Sequence, residues 1–257
     1  MPAGRPDDRT AVVGAIPARY ASTRLPGKAL LPLLGRPLIE HVYRRVSRVE
    51  NLSSVVVLTD DERVASAVES FGGRCELTPA ECSSGTDRVA WAARRWNAAA
   101  VVNVQGDEPL VDSDELAAMV RHLIGHPEDP VVTLATDCPE DLFEDPDAVK
   151  VVVSRAGYAL YFSRSPVPFP RHPGHARPRL HVGVYGYQRA ALLELAAIEP
   201  SPLELTESLE QLRALENGYA IRVLPSSKPS IGVDTPADLE RVERMMRSME
   251  LDREETE

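Results

Sequence analysis

The chain has 257 residues, a formal net charge of -10, 43% hydrophobic residues and 26% charged residues, which suits one large α/β domain or two small ones in an ordinary globular protein. The negative charge disfavours non-specific nucleic-acid binding, and three cysteines without a Cys-x-x-Cys pair argue against a disulfide framework and a structural zinc site. No apolar run approaches the roughly 18 residues of a membrane helix, and the polar segment 1–10 has no apolar signal core, so we expect a cytoplasmic protein without a membrane segment.

The first third of the chain predicts alternating strands and helices. The apolar run 11–16 is typical of a short buried strand, and from Leu38 apolar residues recur with the helical period. A second apolar run at 54–59 predicts another strand, and Asp60 or Asp61 can cap the helix that follows it. This order of elements indicates a parallel sheet with helices on its faces.

Two more helices and a strand continue this pattern. Ser84 can cap a helix, a strand is predicted at 99–104, and a further helix is predicted at 113–124. In an open parallel sheet, ligands bind beyond the carboxyl ends of the strands. The segment 16–28 and Asp107 each follow a predicted strand, so we expect them to meet on one rim of the sheet.

The pattern changes after Pro130, where strands are predicted in closer succession. The second and third of these strands are joined by a tight turn, which indicates an antiparallel hairpin. Prolines and arginines dominate residues 165–180, which we interpret as a mobile basic loop. A smaller antiparallel subregion is therefore expected at about 150–188. The predicted strands are 131–136, 149–154, 158–163 and 181–187.

The last part of the chain predicts two helices separated by a strand. A capping box at Ser201 and a stripe of four leucines predict one continuous helix over 201–218. A strand at 220–224 and a helix capped by Thr235 follow. Because no segment has the composition of a linker, we expect a single domain over residues 11–250, preceded by a disordered segment at 1–10.

Three cations lie in the segment that follows the first strand. Arg19, Arg24 and Lys28 are interleaved with small, hydroxyl and turn-forming residues, in a segment that runs from a strand towards a helix. Arginine forks and a mobile ammonium suit a polyphosphate. The glycine spacings of a P-loop and of the dinucleotide fingerprint are absent. A solvated surface loop is the alternative that these residues alone leave open.

Two aspartates stand where a magnesium ion could be held. Asp107 follows a predicted strand in a glycine-containing turn, and Asp234 precedes a predicted helix. Carboxylate oxygens are the ligands that Mg²⁺ prefers. Each residue also has a simpler explanation, because aspartate is common in turns and complements a helix dipole.

These segments together resemble those of the 3-deoxy-manno-octulosonate (KDO) cytidylyltransferases. The similarity is carried first by PARYASTRLPGK at 17–28, VNVQGDEP at 102–109 and GVDTP at 232–236. It implies a three-layer α/β/α fold of the nucleotide-diphospho-sugar transferase type, with a mixed, mainly parallel central sheet and an antiparallel dimerisation subregion. It also implies CTP and KDO as substrates, bound Mg²⁺, a homodimer and a role in lipopolysaccharide biosynthesis.

Four further motifs extend the resemblance to the proposed substrate contacts. They are SGTDR at 84–88, YFSR at 161–164, HVGVYGY at 181–187 and LEQLR at 209–213. The resemblance implies a catalytic role for Lys28, Arg24, Asp107 and Asp234, of which the two aspartates bind the metal. The nucleotide-binding residues that it implies are Arg19, Ser22, Arg24, Lys28, Ser84, Gly85, Arg88 and Gln105. The sugar-binding residues are Arg164, His181, Tyr185, Glu210 and Gln211.

Departures from the family pattern leave the acceptor open. Leu180 precedes His181 where the family usually has arginine, and Phe169 stands where it often has tryptophan. The acceptor could therefore be another keto-sugar acid, such as an 8-amino analogue or a sialic acid. A non-catalytic nucleotide-sugar binding protein is the alternative from a different class, although Lys28, Asp107 and Asp234 together argue for catalysis.

Overall fold

The computed structural model describes residues 10–21, 25–172 and 174–254. The segment 1–9, which we expected to be disordered, therefore lies outside the described residues. The strands are β1 (Val12–Pro17), β2 (Pro32–Leu33), β3 (Arg36–Pro37), β4 (Leu52–Thr59), β5 (Cys75–Leu77), β6 (Ala100–Asn103), β7 (Val131–Asp137), β8 (Lys150–Val153), β9 (Ala159–Ser163), β10 (Arg179–Gln188) and β11 (Ile221–Pro225). The helices are α1 (Leu38–Val46), α2 (Glu62–Ser70), α3 (Gly85–Ala93), α4 (Ser113–Gly125), α5 (Glu140–Phe143), α6 (Arg189–Leu195), α7 (Pro202–Glu207), α8 (Gln211–Glu216) and α9 (Pro236–Glu254).

The central sheet is mixed, as predicted. Its main path runs in the order β11-β7-β10-β6-β1-β4-β5. Strand β1 pairs in parallel with β4 and β6, and β4 pairs in parallel with β5. Strand β10 runs antiparallel between β6 and β7. The parallel strands β1 and β6 therefore end side by side, at the edge where ligands bind in open sheets.

Both faces of the sheet are covered, which makes the predicted three layers. Along β1, Val12 and Ile16 belong to one hydrophobic cluster, and Val13 and Ala15 belong to another. The first cluster includes buried residues of α1, α2 and α4, and the second includes buried residues of α3, α6 and α8. Because side chains alternate across a strand, each strand contributes to both cores.

The antiparallel subregion is built on the hairpin that the sequence predicted. Strands β8 and β9 pair antiparallel, and β8 also pairs with the start of β10. The Lys150 ammonium is fully buried and donates to the carbonyl oxygens of Asp145 at 2.7 Å and Arg164 at 2.6 Å. Burial lowers the pKa of Lys150. This ammonium therefore ties the hairpin to the segments on either side of it.

Two predicted elements have different boundaries. Strand β10 begins at Arg179, inside the segment predicted as loop, because Arg179 and Leu180 pair with both β7 and β8. The single helix predicted over 201–218 is wrong. It is divided into α7 and α8 at Ser208, whose φ of 53° lies in the left-handed region. Leu205, which the leucine stripe placed inward, is 68% exposed.

A third cluster joins the C-terminal helix to the start of the chain. Leu33 and Leu38 pack with Val233 and with Val242 of α9. This contact holds the segment before α9 beside the loop that follows β6. No helix among the described residues combines the length and apolar character that crossing a bilayer requires.

Candidate active site

A cleft of about 440 Å³ opens at the carboxyl ends of β1 and β6. Its floor includes backbone that follows both strands, at Pro17, Ala18 and Gly106. Eight of the residues that we predicted as functional line it. They are Arg19, Lys28, Ser84, Gly85, Gln105, Asp107, Glu210 and Asp234. Among them, Arg19 and Lys28 meet Asp107 on one rim of the sheet, as the order of elements indicated.

Three of these residues form an ion cluster at one end of the cleft, called here the Lys28 cluster. The Lys28 ammonium donates to the carboxylate of Asp107 and, at 2.9 Å, to Oδ1 of Asp234. Burial lowers the pKa of Lys28, but the two carboxylates outweigh this effect and the net shift is upward. Lys28 is therefore a permanent cation at neutral pH.

The backbone around the cluster brings these distant residues together. Gly27 has a φ of 70°, a conformation that glycine adopts without penalty, and its N–H donates to the Tyr20 carbonyl at 2.9 Å. This turn starts the 3₁₀ helix in which Lys28 lies. The Val233 N–H donates to the Asp107 carbonyl at 2.9 Å. The segments that carry Asp107 and Asp234 are thus joined by their own backbone.

The opposite wall of the cleft is the N-terminus of α3. Ser84 and Asp87 form a capping box, in which each side chain accepts a hydrogen bond from the other's backbone N–H. A Cβ added at Gly85 would lie 3.0 Å from Oε1 of Gln105. Glycine therefore lets the Gln105 amide approach the helix N-terminus, whose N–H groups and dipole favour anions.

The Lys28 cluster also contains donors that suit a divalent cation. Asp107 and Asp234 direct carboxylate oxygens at one point, which the Lys28 ammonium occupies. No group of three or more histidine, cysteine or acidic side chains within 10–21, 25–172 and 174–254 could hold a metal. Two carboxylates fit Mg²⁺, which usually takes one or two from the protein and completes its shell with water and substrate phosphates.

Arg88 does not line the cleft. Its guanidinium is fully buried, donates to the Thr78 hydroxyl and lies 3.1 Å from a carboxylate oxygen of Asp60. It connects α3 to the ends of β4 and β5 rather than offering a group to a ligand. The nucleotide contact expected of Arg88 therefore has no counterpart in this conformation.

Two residues predicted to bind the sugar are held by protein groups. Arg164 donates through Nε to the Glu207 carbonyl at 2.7 Å and through Nη1 to the Pro146 carbonyl at 2.9 Å. His181 Nε2 lies 3.0 Å from the Thr133 hydroxyl, and burial lowers its pKa to about 3. Neither side chain lines the cleft. His181 is accordingly neutral at physiological pH.

Of the other three sugar-binding candidates, Glu210 lines the cleft, whereas Tyr185 and Gln211 do not. Burial raises the pKa of the Glu210 carboxyl. The Tyr185 hydroxyl is buried and interacts with the Thr133 side chain, and the Gln211 Nε2 is buried without a hydrogen-bond partner among the described residues. Ser22 and Arg24, which we predicted to bind the nucleotide, lie outside the described residues.

The motifs of the sequence predicted no role for Glu108, which follows Asp107. Its carboxyl is buried, accepts a hydrogen bond from the Ser230 hydroxyl at 2.8 Å, and has a pKa raised to about 7 by burial and by the charge of Asp107. Glu108 is buried by segments that are distant in the sequence, so its burial could not be predicted from its neighbours. The only local signal for a functional role was its position in the Gln105–Pro109 turn, next to Asp107.

Known proteins share both the sequence and the fold of this chain. The family described as Cytidylyltransferase matches residues 13–223. A 3-deoxy-manno-octulosonate cytidylyltransferase from Solibacter usitatus is 48% identical over 240 residues, covering 92% of this chain and 95% of the relative. The protein of that name from Geobacter sulfurreducens is 49% identical over 243 residues, covering 90% of this chain and 97% of the relative.

A solved structure agrees with these relatives. The structure of CMP:2-keto-3-deoxy-manno-octonic acid synthetase in complex with CTP superposes with a TM-score of 0.90 at 42% identity, covering 93% of this chain and 99% of that one. This agreement extends across both the parallel and the antiparallel parts of the sheet. The chain therefore belongs to the cytidylyltransferases, and among them to the family of 3-deoxy-manno-octulosonate cytidylyltransferases.

Proposed function

We propose that this protein transfers CMP from CTP to 3-deoxy-D-manno-octulosonate, forming CMP-KDO and pyrophosphate. The observation that carries the proposal is the Lys28 cluster, in which one ammonium and two carboxylates meet at the end of a cleft. The names of relatives at 48% and 49% identity support CTP and KDO as the two substrates. A keto-sugar acid with a different substituent remains an outcome of the test described below.

The phosphates of CTP fit the charged end of the cleft. Lys28 lines this end as a permanent cation, and the Arg19 guanidinium lines the cleft while donating to the Cys82 carbonyl at 3.0 Å. The α3 N-terminus at Ser84 and Gly85 adds a positive dipole end. These groups neutralise the triphosphate and hold it in one orientation.

The reaction is a single displacement at phosphorus. A hydroxyl oxygen of the sugar acid attacks the α-phosphorus in line and its proton is released to water. The bond between the α-phosphorus and the oxygen that bridges it to the β-phosphate breaks, and pyrophosphate leaves with the electron pair. Charge builds on phosphate oxygens, so positioning and electrostatic stabilisation supply most of the acceleration. Lys28 serves both purposes, because its pKa keeps the ammonium charged throughout.

Asp107 and Asp234 would hold Mg²⁺ in this proposal. When bound, Mg²⁺ neutralises phosphate charge and lowers the pKa of a hydroxyl that it contacts. The protein's own contribution is to keep the two carboxylates together, through the Val233 to Asp107 backbone hydrogen bond and the packing of α9.

We further propose a cytoplasmic homodimer that supplies activated sugar for lipopolysaccharide. Leu160 of β9 and Phe169 are 61% and 83% exposed within the antiparallel subregion. A second copy of the chain would remove such apolar side chains from water. Light scattering should then give twice the mass of the chain, and Leu160→Glu should shift it towards the monomer.

A pyrophosphate-release assay tests the reaction. Each of the four nucleoside triphosphates is combined with KDO, its 8-amino analogue or a sialic acid, with and without Mg²⁺. The proposal expects release only when CTP, KDO and Mg²⁺ are present together. Preference for another sugar acid would reassign the acceptor, and an absence of release with every combination would favour a non-catalytic binding protein.

A further inference from the structure

A buried amide without a hydrogen-bond partner among the described residues lies at the end of β6, two residues before a residue of the cleft. Asn103 is the last residue of β6 and is 1% exposed. Neither its Oδ1 nor its Nδ2 has a hydrogen-bond partner among the described residues. Gln105, two residues further along, lines the cleft. The unpartnered amide is therefore close in the chain to a cleft residue.

The neighbour of Asn103 across the sheet is one of the residues predicted to bind the sugar. Tyr185 of β10 lies opposite Asn103 in the antiparallel pairing with β6. Both share the face of Val101 and Tyr187, whose side chains belong to the core beneath α3 and α8. The Tyr185 hydroxyl is buried and interacts with the Thr133 side chain, although the Tyr185 side chain as a whole is partly exposed.

A second unpartnered group comes from the helix on the same face. Gln211 is the first residue of α8, directly after Glu210, which lines the cleft. Its Nε2 is buried without a partner while the residue as a whole is partly exposed. Long polar side chains usually place their polar ends in water. Tyr185 and Gln211 instead bury theirs.

The unpartnered polar atoms of Asn103 and Gln211 indicate one kind of ligand. Buried polar groups in native proteins nearly always have partners, since an unmade hydrogen bond is costly. Asn103 supplies both an acceptor and a donor, Tyr185 can do either, and Gln211 Nε2 is a donor. A phosphate can only accept, whereas a sugar hydroxyl can donate and accept at once. The set therefore matches a polyhydroxylated ligand.

We propose that Asn103 is a specificity residue of the acceptor site, where its amide hydrogen-bonds a hydroxyl of the sugar acid alongside Tyr185 and Gln211. The inference rests on the proposed transfer to a sugar acid and adds a residue to that site. Among the described residues, the Asn103 amide has no hydrogen-bond partner in the free protein. It therefore contributes a hydrogen bond only when the acceptor binds.

The test is Asn103→Leu, an apolar side chain of similar size. We expect the KM for the sugar acid to rise about tenfold, the loss of roughly one buried hydrogen bond. The KM for CTP should stay within about twofold, since the change removes no charged group from the cleft. The melting temperature without ligand should be unchanged or higher, because an unpartnered amide is replaced by an apolar group. The sugar acid should also raise that temperature less than in the unmodified protein.

Two companion variants make the result decisive. Asn103→Ser cannot overpack the core and replaces the amide with a hydroxyl, which can still donate and accept one hydrogen bond, so its KM for the sugar acid should lie between those of the unmodified protein and Asn103→Leu. Val101→Ala alters a buried residue two positions earlier on the same strand and face, and should lower the melting temperature without changing either KM.

The outcomes separate this inference from the proposed function. An unchanged KM for the sugar acid in Asn103→Leu, a rise in the KM for CTP instead, or a clear fall in the ligand-free melting temperature of both Asn103 variants would overturn the role of Asn103. Failure of the unmodified protein to release pyrophosphate with any sugar acid would instead count against the proposed function.

Discussion

The two ends of the substrate region differ in how their side chains are held. At the parallel end, Lys28, Asp107 and Asp234 come from three distant parts of the chain and meet at the cleft. In the antiparallel subregion, Arg164 and His181 are held by protein groups and stay outside it. The end expected to bind phosphate is preformed, whereas these two acceptor candidates are not presented to the cleft.

Topology explains the difference. Parallel strands end at a common edge, so the loops that follow β1 and β6 place their polar residues in one cleft. The antiparallel candidates His181 and Tyr185 are mid-strand residues of β10, and their side chains face a core. We therefore expect nucleotide binding to need little rearrangement and acceptor binding to need more.

The largest effect should come from Asp107→Asn at the preformed end. Turnover should fall on the order of 10³-fold, because a carboxylate that meets the developing charge is lost from the cleft. Pyrophosphate release measures turnover, and circular dichroism checks that the fold is retained. Asp112→Asn is the matched control, since Asp112 caps α4 outside the cleft and asparagine caps as well. Near-normal turnover of Asp107→Asn would show that the Lys28 cluster is not the catalytic part of the cleft.

Lys28→Met should have the next largest effect. Turnover should fall on the order of 10²-fold, because one fixed cation is lost from the phosphate end. Stability should fall by only about 1 kcal/mol, since water screens these partly exposed carboxylates. Mg²⁺ should then raise the melting temperature more than in the unmodified protein, because the ammonium no longer competes for Asp107 and Asp234.

Lys228→Met controls for the loss of any lysine from an ion pair. Lys228 pairs with Asp112 at 3.2 Å, away from the Lys28 cluster. Turnover and the response to Mg²⁺ should be unchanged in this variant. If Mg²⁺ stabilises Lys28→Met no better than the unmodified protein, the two carboxylates are not the metal ligands.

The pH dependence of stability tests whether His181 of the antiparallel subregion is buried and neutral. Its folded pKa of about 3 lies below the ordinary value of 6.5, so the unfolded chain binds more protons between these values. This contribution to stability is present above pH 6.5 and is lost as the pH falls towards 3. The free energy of unfolding of His181→Gln, measured by urea between pH 4 and 8, should therefore depend less on pH.

His126 is the control that shows whether the changed pH dependence is specific to His181. His126 is half exposed on α4's C-terminal side and pairs with Glu128. If His126→Gln flattens the pH dependence as strongly as His181→Gln, the burial of His181 is not its cause.

The smallest effect is expected at the break between α7 and α8. Ser208 has a φ of 53°, and glycine tolerates this conformation better than serine. Ser208→Gly should raise the free energy of unfolding by about 0.5 kcal/mol, measured from urea midpoints, with unchanged turnover. Ser208→Ala keeps the Cβ and should show no such gain. Equal gains in the two variants would mean that backbone strain at Ser208 is not relieved.

Local patterns predicted most of the elements that bound the cleft. The apolar run before Arg19 forms β1, and Ser84 caps α3 as predicted. The helix predicted over 201–218 failed because a leucine stripe can continue across a turn that leaves the helical conformation. Periodicity records which residues are apolar, and the backbone at Ser208 is set by packing around it.

The sequence alone determined the alternating elements, the parallel core and the polar groups placed after its strands, because these depend on neighbours a few residues apart. Tertiary structure decided that one ammonium joins Asp107 and Asp234, that Arg88 is buried, and that the Asn103 amide has no hydrogen-bond partner among the described residues. Each depends on residues far apart in the chain, whose distances and burial are fixed only when the sheet and its helices pack together.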